Sequence, residues 1–108
     1  MNTWDIVTFK FPGADSHPAV IISHPDRVDH KSLVNVLLCF TQRGGRQPEE
    51  HEVLLDAADG LDWKTIVKCD LIYLADKKDL SQKRGSVSAE RRRQIAARVI
   101  QSTALGGL

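Results

Sequence analysis

The segment from 66 to 73 constrains the fold most, because it sets a cation and a carboxylate two residues apart inside an otherwise apolar run. Side chains at i and i+2 of a β-strand point to the same face of a sheet. Lys68 and Asp70 are therefore predicted to stand side by side, while Val67, Cys69 and Leu71 point the other way into a core. Such a charged pair is either a surface ion pair or part of a functional site, and the pattern leaves both open.

Short β-branched and apolar runs separated by turn residues predict five strands. These strands cover residues 5–11, 19–23, 33–41, 51–55 and 65–75, and a polar connector over 77–87 has room for one more short strand. Ser88 is a good N-cap for a terminal helix, on which Ile95, Val99 and Ile100 form one apolar stripe. We therefore predict an α+β, mainly β fold: a small, strongly bent sheet or barrel of five to six strands with a C-terminal α-helix packed on it.

The length of 108 residues corresponds to a single domain over 1–108, with a predicted core over 4–101 and a frayed tail over 102–108. No apolar run approaches the roughly 20 residues that a membrane span needs, and the first residues lack the regions of a signal peptide. We therefore expect a cytoplasmic protein with no membrane contact. Cys39 and Cys69 lie in apolar runs, which favours buried free thiols in a reducing compartment.

Charge is distributed unevenly along the chain, although the net charge is only +1. The charges from 49 to 62 are acidic, whereas those from 77 to 98 are mostly basic. The basic stretch is either a surface that binds phosphates or an ordinary solvated face. The segment 42–50 has no hydrophobic residue, two glycines and a proline, and it predicts an exposed, mobile loop.

Several chemistries lack their sequence motifs in this chain. There is no Cys-x-x-Cys pair, no phosphate-binding P-loop and no Gly-x-Ser-x-Gly elbow, and the histidines fit no usual zinc spacing: His17, His24, His30 and His51. We therefore expect no metal and no cofactor.

The two tryptophans are predicted to be structural. The segment 56–63 is typical of a turn or short helix that carries Trp63 onto the edge of the core. Trp4 and Trp63 are expected to be core or dimer-interface aromatics rather than platforms for stacked bases.

Five short motifs occur in an order that resembles one protein family. They are Asp5-Ile6-Val7, His17-Pro18 before an apolar run, Cys39-Phe40-Thr41-Gln42 at a strand end, Val67-Lys68-Cys69-Asp70, and Arg84-Gly85-Ser86-Val87 ahead of the terminal helix. Together they resemble the PemK/MazF toxins of type II toxin–antitoxin systems, over nearly the whole chain from residue 5 to about residue 100.

This resemblance implies an SH3-like barrel that forms a homodimer. It also implies a metal-independent endoribonuclease that cuts single-stranded RNA and is neutralised by a small antitoxin protein. The chain departs from the family pattern at the site: His17 and Lys68 stand where arginines are usual, and Thr41 is the one hydroxyl left in a motif that is usually rich in threonine.

Cleaving RNA without a metal requires groups that this chain can supply. A base must take the proton of the 2′-hydroxyl, an acid must protonate the leaving 5′-oxygen, and a cation must meet the charge on the phosphate. Asp70 is the candidate base, His17 the candidate acid or base, and Lys68 the candidate phosphate stabiliser. Thr41 or Arg43 is the candidate hydrogen-bonding partner of the substrate.

The loop after the third predicted strand supplies candidate substrate-binding residues, namely Gln42, Arg43 and Arg46. Plainer interpretations stay open for these positions. The two arginines would also keep a loop soluble, His17 would suit a surface turn before a proline, and Thr41 would suit an edge strand.

Two functional hypotheses from different classes follow. The first is a ribonuclease toxin whose partners are single-stranded RNA and a cognate antitoxin. The second is a catalytically inactive or non-nuclease barrel that binds a protein partner or nucleic acid, or poisons a topoisomerase as the CcdB toxins do. The missing arginines favour the second hypothesis, and the ordered motifs favour the first.

Overall fold

The computed structural model describes residues 1–103, which form a curled six-stranded antiparallel sheet and a C-terminal helix. The strands are β1 (Asp5–Lys10), β2 (Ser16–Ile21), β3 (Leu33–Thr41), β4 (Glu52–Leu55), β5 (Thr65–Asp76) and β6 (Ser81–Ser86), in the order β4-β5-β3-β2-β1-β6. The helices are α1 (Pro25–His30) and α2 (Ala89–Thr103), and 3-10 turns cover Ala57–Asp59 and Lys77–Asp79. The predicted fold class, a small, mainly β α+β barrel with a C-terminal helix, is confirmed.

Both faces of the sheet are covered, so the molecule has two apolar clusters. Neighbouring residues of β1 contribute to different clusters, because Ile6 and Val7 point to opposite faces. Helix α2 covers one face with Ile95, which is fully buried, and α1 adds Val28 to the other cluster. The third residue of the predicted stripe on α2, Ile100, is 52% exposed and lies outside that contact.

Strand β5 is interrupted where the charged pair lies. Leu37 pairs with Ile72 and Cys39 pairs with Val67, so residues 68–71 of β5 lie opposite a single residue of β3. Such irregularities bend a strand, turn its side chains and are frequent beside active sites. Val67 and Cys69 are buried as predicted, but the prediction for Leu71 is wrong, since this side chain is 37% exposed. Strict alternation fails there because the ladder is broken.

Two local elements differ from the sequence-based expectation. Helix α1 is not among the predicted elements; Pro25 occupies its first turn, a position that proline suits. The Nδ1 atom of His24 caps this helix by accepting from the backbone N–H of Asp26 at 3.1 Å. Trp63 is 73% exposed, so the prediction that it lies at the core edge is wrong.

The end of the chain and the two cysteines also bear on the expected fold. Helix α2 continues to Thr103, and from residue 104 onward the predicted frayed tail lies outside the described residues.

Cys39 and Cys69 are free and buried, as expected. Burial raises the pKa of both thiols, that of Cys69 to about 12, so neither behaves as a reactive thiolate.

An ion-pair cluster fixes α2 to the turn that precedes β5. The Nη1 atom of Arg91 lies 2.6 Å from Oδ1 of Asp56 and 2.6 Å from Oδ2 of Asp59. The buried carboxylate of Asp59 also accepts from the backbone N–H groups of Asp56 and Ser88. The hydrogen bond from Arg91 lowers the pKa of Asp56 from 3.8 to about 2.

We predict that this ion-pair cluster makes the free energy of unfolding depend on pH in the acidic range. Because the pKa of Asp56 is lower in the folded than in the unfolded chain, its contribution is present above about pH 4 and is lost as the pH falls towards 2. Replacing Arg91→Gln should flatten the decline of the unfolding free energy between pH 5 and pH 2, measured by urea titration. Arg93→Gln, an exposed site on the same helix, is the control; equal pH profiles for the two variants would contradict the prediction.

Candidate active site

A cavity of about 270 Å³ opens where β2 begins and β3 ends. It is lined by His17, Phe40, Thr41, Arg43 and Arg46. The register that sets Ala19 opposite Leu38 carries the start of β2 towards the end of β3. The structure therefore brings the imidazole of His17 to a hydroxyl and two guanidinium groups that come much later in the sequence, at positions 41–46.

Two cations flank the aromatic wall of this cavity. The guanidinium carbon of Arg46 lies 5.1 Å from the centre of the Phe40 ring, and the Nζ atom of Lys68 lies 5.7 Å from it. Both distances fall within the range of cation–π attraction. Phe40 thus connects the cavity to the strand that carries Lys68.

The buried carboxylate of Glu52 holds both of these cations. Glu52 is 1% exposed and accepts from Arg46 through both oxygens, at 2.9 and 3.1 Å. Its other neighbours are the backbone N–H of Glu49 at 2.9 Å and the Nζ of Lys68 at 3.6 Å. Burial disfavours the ionised form, but these hydrogen bonds and charges outweigh it and lower the pKa of Glu52.

Asp70 has a different partner from the one its spacing suggested. Its Oδ2 atom lies 3.6 Å from Nε2 of His51, and Lys68 pairs with Glu52 instead. The same His51 nitrogen lies 3.6 Å from Glu49 and 4.0 Å from Glu52. Asp70 is exposed, and it is not among the residues that line the His17 cavity.

The loop after β3 is exposed, as predicted, and its side chains hold it in shape. The side-chain amide of Gln42 donates to the carbonyl of Arg46 at 2.6 Å, and its backbone N–H donates to the carbonyl of Lys64 at 2.9 Å. Arg46 is engaged by Glu52, whereas Arg43 has no ion pair among residues 1–103. Of the three predicted substrate-binding residues, Arg43 is thus the one with an unengaged charge.

Glu52 and His51 were missed by sequence reasoning. The antiparallel pairing of β4 with β5 would have identified Glu52 as the partner of Lys68, because it sets these two residues directly opposite each other. Glu49, His51 and Glu52 also place one possible metal-ligand atom each within 4.8 Å of one another. A metal ion there would have to displace Arg46 from Glu52, so this group favours an ion-pair network.

Much of the basic stretch from 77 to 98 is engaged in holding the fold. Lys77 donates to the carbonyl of Val28 at 2.6 Å, and Arg98 donates to that of Glu50 at 3.2 Å. Arg91 is tied to the turn before β5. The stretch is therefore not a continuous free surface for phosphates.

In the described part of the chain, neither helix has the length and apolar character that crossing a membrane requires.

Comparison with protein families matches residues 2–103 to the "PemK-like, MazF-like toxin of type II toxin-antitoxin system". The chain belongs to this family. The resemblance inferred from the five motifs is thereby confirmed. A comparison with curated proteins found no match.

Solved structures of MazF-type proteins share the fold of this toxin. An "Endoribonuclease in complex with its cognate antitoxin from Mycobacterial species" is 20% identical, with a TM-score of 0.83 over 97% of this chain and 96% of that one. "Mycobacterium tuberculosis toxin MazF-mt6" is 22% identical, with a TM-score of 0.76 over 93% and 97%. A MazE-MazF structure (Form-II) from Deinococcus radiodurans is 16% identical, with a TM-score of 0.73 over 94% and 92%.

We predict that Glu52 stabilises the toxin through its charge. Glu52→Gln removes the charge that Arg46 and Lys68 share and should lower the free energy of unfolding by about 2–4 kcal/mol, because a buried ion loses its partner. Urea unfolding measures this change. Glu50→Gln, an exposed neighbour, should change stability by less than about 0.5 kcal/mol; equal effects at both positions would refute the assigned role.

Proposed function

We propose that this toxin is a metal-independent endoribonuclease that cleaves single-stranded RNA. The observation that supports the proposal is the cavity in which the His17 imidazole, the Thr41 hydroxyl and the Arg43 guanidinium converge. These groups can exchange a proton, donate a hydrogen bond and neutralise a phosphate. The second group for proton transfer is Asp70, which lies outside this cavity beside His51.

The proposed reaction uses the RNA's own 2′-hydroxyl. Its oxygen forms a bond to phosphorus while the bond from phosphorus to the 5′-oxygen breaks, which leaves a 2′,3′-cyclic phosphate and a free 5′-hydroxyl. A base takes the 2′ proton, an acid supplies a proton to the leaving oxygen, and cations stabilise the charge on the non-bridging oxygens.

We assign the proton transfers to His17 and Asp70, with His17 at the cavity and Asp70 held beside His51. Thr41 donates to a non-bridging oxygen, and Lys68 contributes positive charge from its position 5.7 Å from the centre of the Phe40 ring. His17 stands where the family usually has an arginine. The site therefore loses a bidentate contact to phosphate but gains a side chain that can act as an acid or a base.

Three loop residues are proposed to bind the substrate. Arg43 contacts a phosphate directly, since its charge has no ion-pair partner within residues 1–103. Arg46 lines the cavity while Glu52 fixes its direction, and Gln42 keeps the loop in place through the Arg46 carbonyl.

The protein partner we propose is a cognate antitoxin. One structural relative is an endoribonuclease in complex with its cognate antitoxin, and others are MazE-MazF structures. We also expect the toxin to act in the cytoplasm, where RNA is available and the two buried thiols stay reduced.

We predict cleavage of mixed single-stranded RNA by the purified toxin in the presence of a chelator. His17→Ala and Asp70→Ala should each reduce the rate by about 100-fold or more, because positioned acids and bases contribute on that scale. The measurement is the rate of appearance of 2′,3′-cyclic phosphate ends on gels.

Matched controls separate the assignment from the activity. His24→Ala and Asp26→Ala remove an exposed histidine and carboxylate at the start of α1 and should leave the rate unchanged. Full activity in both site variants would reject the assigned residues while keeping the enzyme. If the folded wild type cleaves no RNA, the toxin is instead a binding protein or a topoisomerase poison.

We further propose a homodimer formed through the second half of β5. Tyr73 and Ala75 pack into the sheet, whereas Ile72 and Leu74 point outward and are 44% and 62% exposed. Strand β4 pairs only with residues 65–68, so within residues 1–103 the neighbouring edge of β5 has no partner strand. An apolar surface beside an open strand edge favours pairing with a second copy.

We predict that light scattering reports a dimer at micromolar concentration and that Leu74→Glu converts it to a monomer. The charge would have to be buried without a partner in the pair. Gln94→Glu adds the same charge on exposed α2 and should leave the dimer intact. A monomeric wild type would rule out the pairing.

A further inference from the structure

A second cavity, also of about 270 Å³, lies beside the candidate active site. We call it the Trp63 groove. Thr41 lines both cavities, so the two are adjacent on the same surface. The floor of the Trp63 groove includes Pro18 and Thr41, one wall is the segment 61–65, and the other wall is residues 82–84 of β6.

Trp63 is the most exposed large hydrophobic side chain among the described residues, at 73%. Its backbone is nevertheless anchored, because the carbonyl of Trp63 accepts from the hydroxyl of Thr65 at 3.0 Å and that of Lys64 accepts from the backbone N–H of Gln42 at 2.9 Å. An indole ring presented to solvent on an anchored loop is a platform on which a flat, apolar surface can stack.

The backbone segments next to the two walls of the groove are in close contact with each other. A Cβ atom at Gly85 of β6 would clash with the carbonyl oxygen of Asp59, in the turn that precedes the Trp63 loop. Gly60 follows in the left-handed conformation, at φ +81°. The backbone on both sides is therefore fixed relative to the site, which favours recognition without rearrangement.

The wall opposite the tryptophan carries positive charge. Lys83 is 58% exposed and lies 3.3 Å from Asp5, and Arg84 donates to the hydroxyl of Thr8 through Nε, which leaves its terminal nitrogens available. Asp62 and Gln82 add an acceptor and an amide to the rim. The groove thus offers a stacking surface, polar groups for the edge of a base and cations for a phosphate.

We propose that the Trp63 groove binds a nucleotide of the RNA substrate next to the one being cleaved. The base stacks on Trp63, its polar edge meets Asp62 and Gln82, and its phosphate faces Lys83 and Arg84. This inference rests on the proposed ribonuclease function, because the adjoining cavity supplies the cleavage site. Since Asp62 repels phosphate and accepts from amino groups, the groove favours bases that carry an exocyclic amino group.

The test measures binding separately from cleavage. The probe is a fluorescein-labelled 2′-O-methyl RNA of mixed sequence and about 12 nucleotides, within the range that single-strand sites cover. It lacks the attacking hydroxyl, so its anisotropy reports binding alone. Trp63→Ala should raise Kd about ten-fold, which is the loss expected for one stacked base. Trp63→Phe should keep Kd within about three-fold of the wild type.

Charge is tested with a matched pair of lysines. Lys83→Ala should reduce the slope of log Kd against log salt by about 0.7, the value for one phosphate contact on a single strand. Lys31→Ala, at the opposite end of β3 from Thr41, should leave the slope unchanged. Melting temperatures of all variants exclude unfolding as the cause.

The outcomes are distinguishable. If Trp63→Ala binds the probe like the wild type, the groove is not a nucleotide site, whether or not the toxin cleaves RNA. The proposal is also overturned if this variant becomes monomeric or loses only its affinity for the antitoxin, since Trp63 then serves a protein interface. If the wild type fails to cleave but binds the probe through Trp63, the proposed reaction is wrong and the groove stands.

Discussion

The candidate site depends on the interactions of one buried, ionised carboxylate, that of Glu52. It is buried at the start of β4, and it compensates this burial by binding Arg46 through both oxygens, the backbone of Glu49 and the charge of Lys68. A buried carboxylate without such partners would cost several kcal/mol. The same bonds fix the loop after β3 and hold two cations against Phe40. The cavity wall is thus shaped by an ion-pair network. Any change in the geometry of this network would leave a buried charge without a partner.

The positive charge of the chain is divided between structure and function. Arg91 attaches α2 to the turn before β5, and Arg46 and Lys68 belong to Glu52, so these cations are already compensated. Arg43, the exposed Lys83 and the terminal nitrogens of Arg84 are the groups best placed to meet a phosphate. In the proposed complex, an RNA bound by few free cations would depend more on stacking and hydrogen bonding, which would give the exposed Trp63 a larger share of the binding free energy.

The replacement of the usual arginine by His17 changes what the site can do. An arginine offers a permanent charge and two parallel hydrogen bonds, whereas an imidazole can take up and release a proton. The proposed enzyme would therefore hold the phosphate less firmly and depend more on proton transfer. The break in β5 between residues 67 and 72 also shapes the site, because it turns the Lys68–Asp70 segment away from a regular sheet face.

The sequence by itself determined five of the six strands, the C-terminal helix and the family, because alternation, turn residues and motif order are local properties. It also identified His17, Thr41, Arg43 and Arg46, which line one cavity. Tertiary structure alone decided the partners of the charges, since Lys68 pairs with Glu52 and Asp70 lies beside His51. It also decided that Leu71 and Trp63 are exposed. These outcomes depend on which strand lies beside β5, where its ladder breaks and how the loop before it is anchored. No local pattern encodes such long-range contacts.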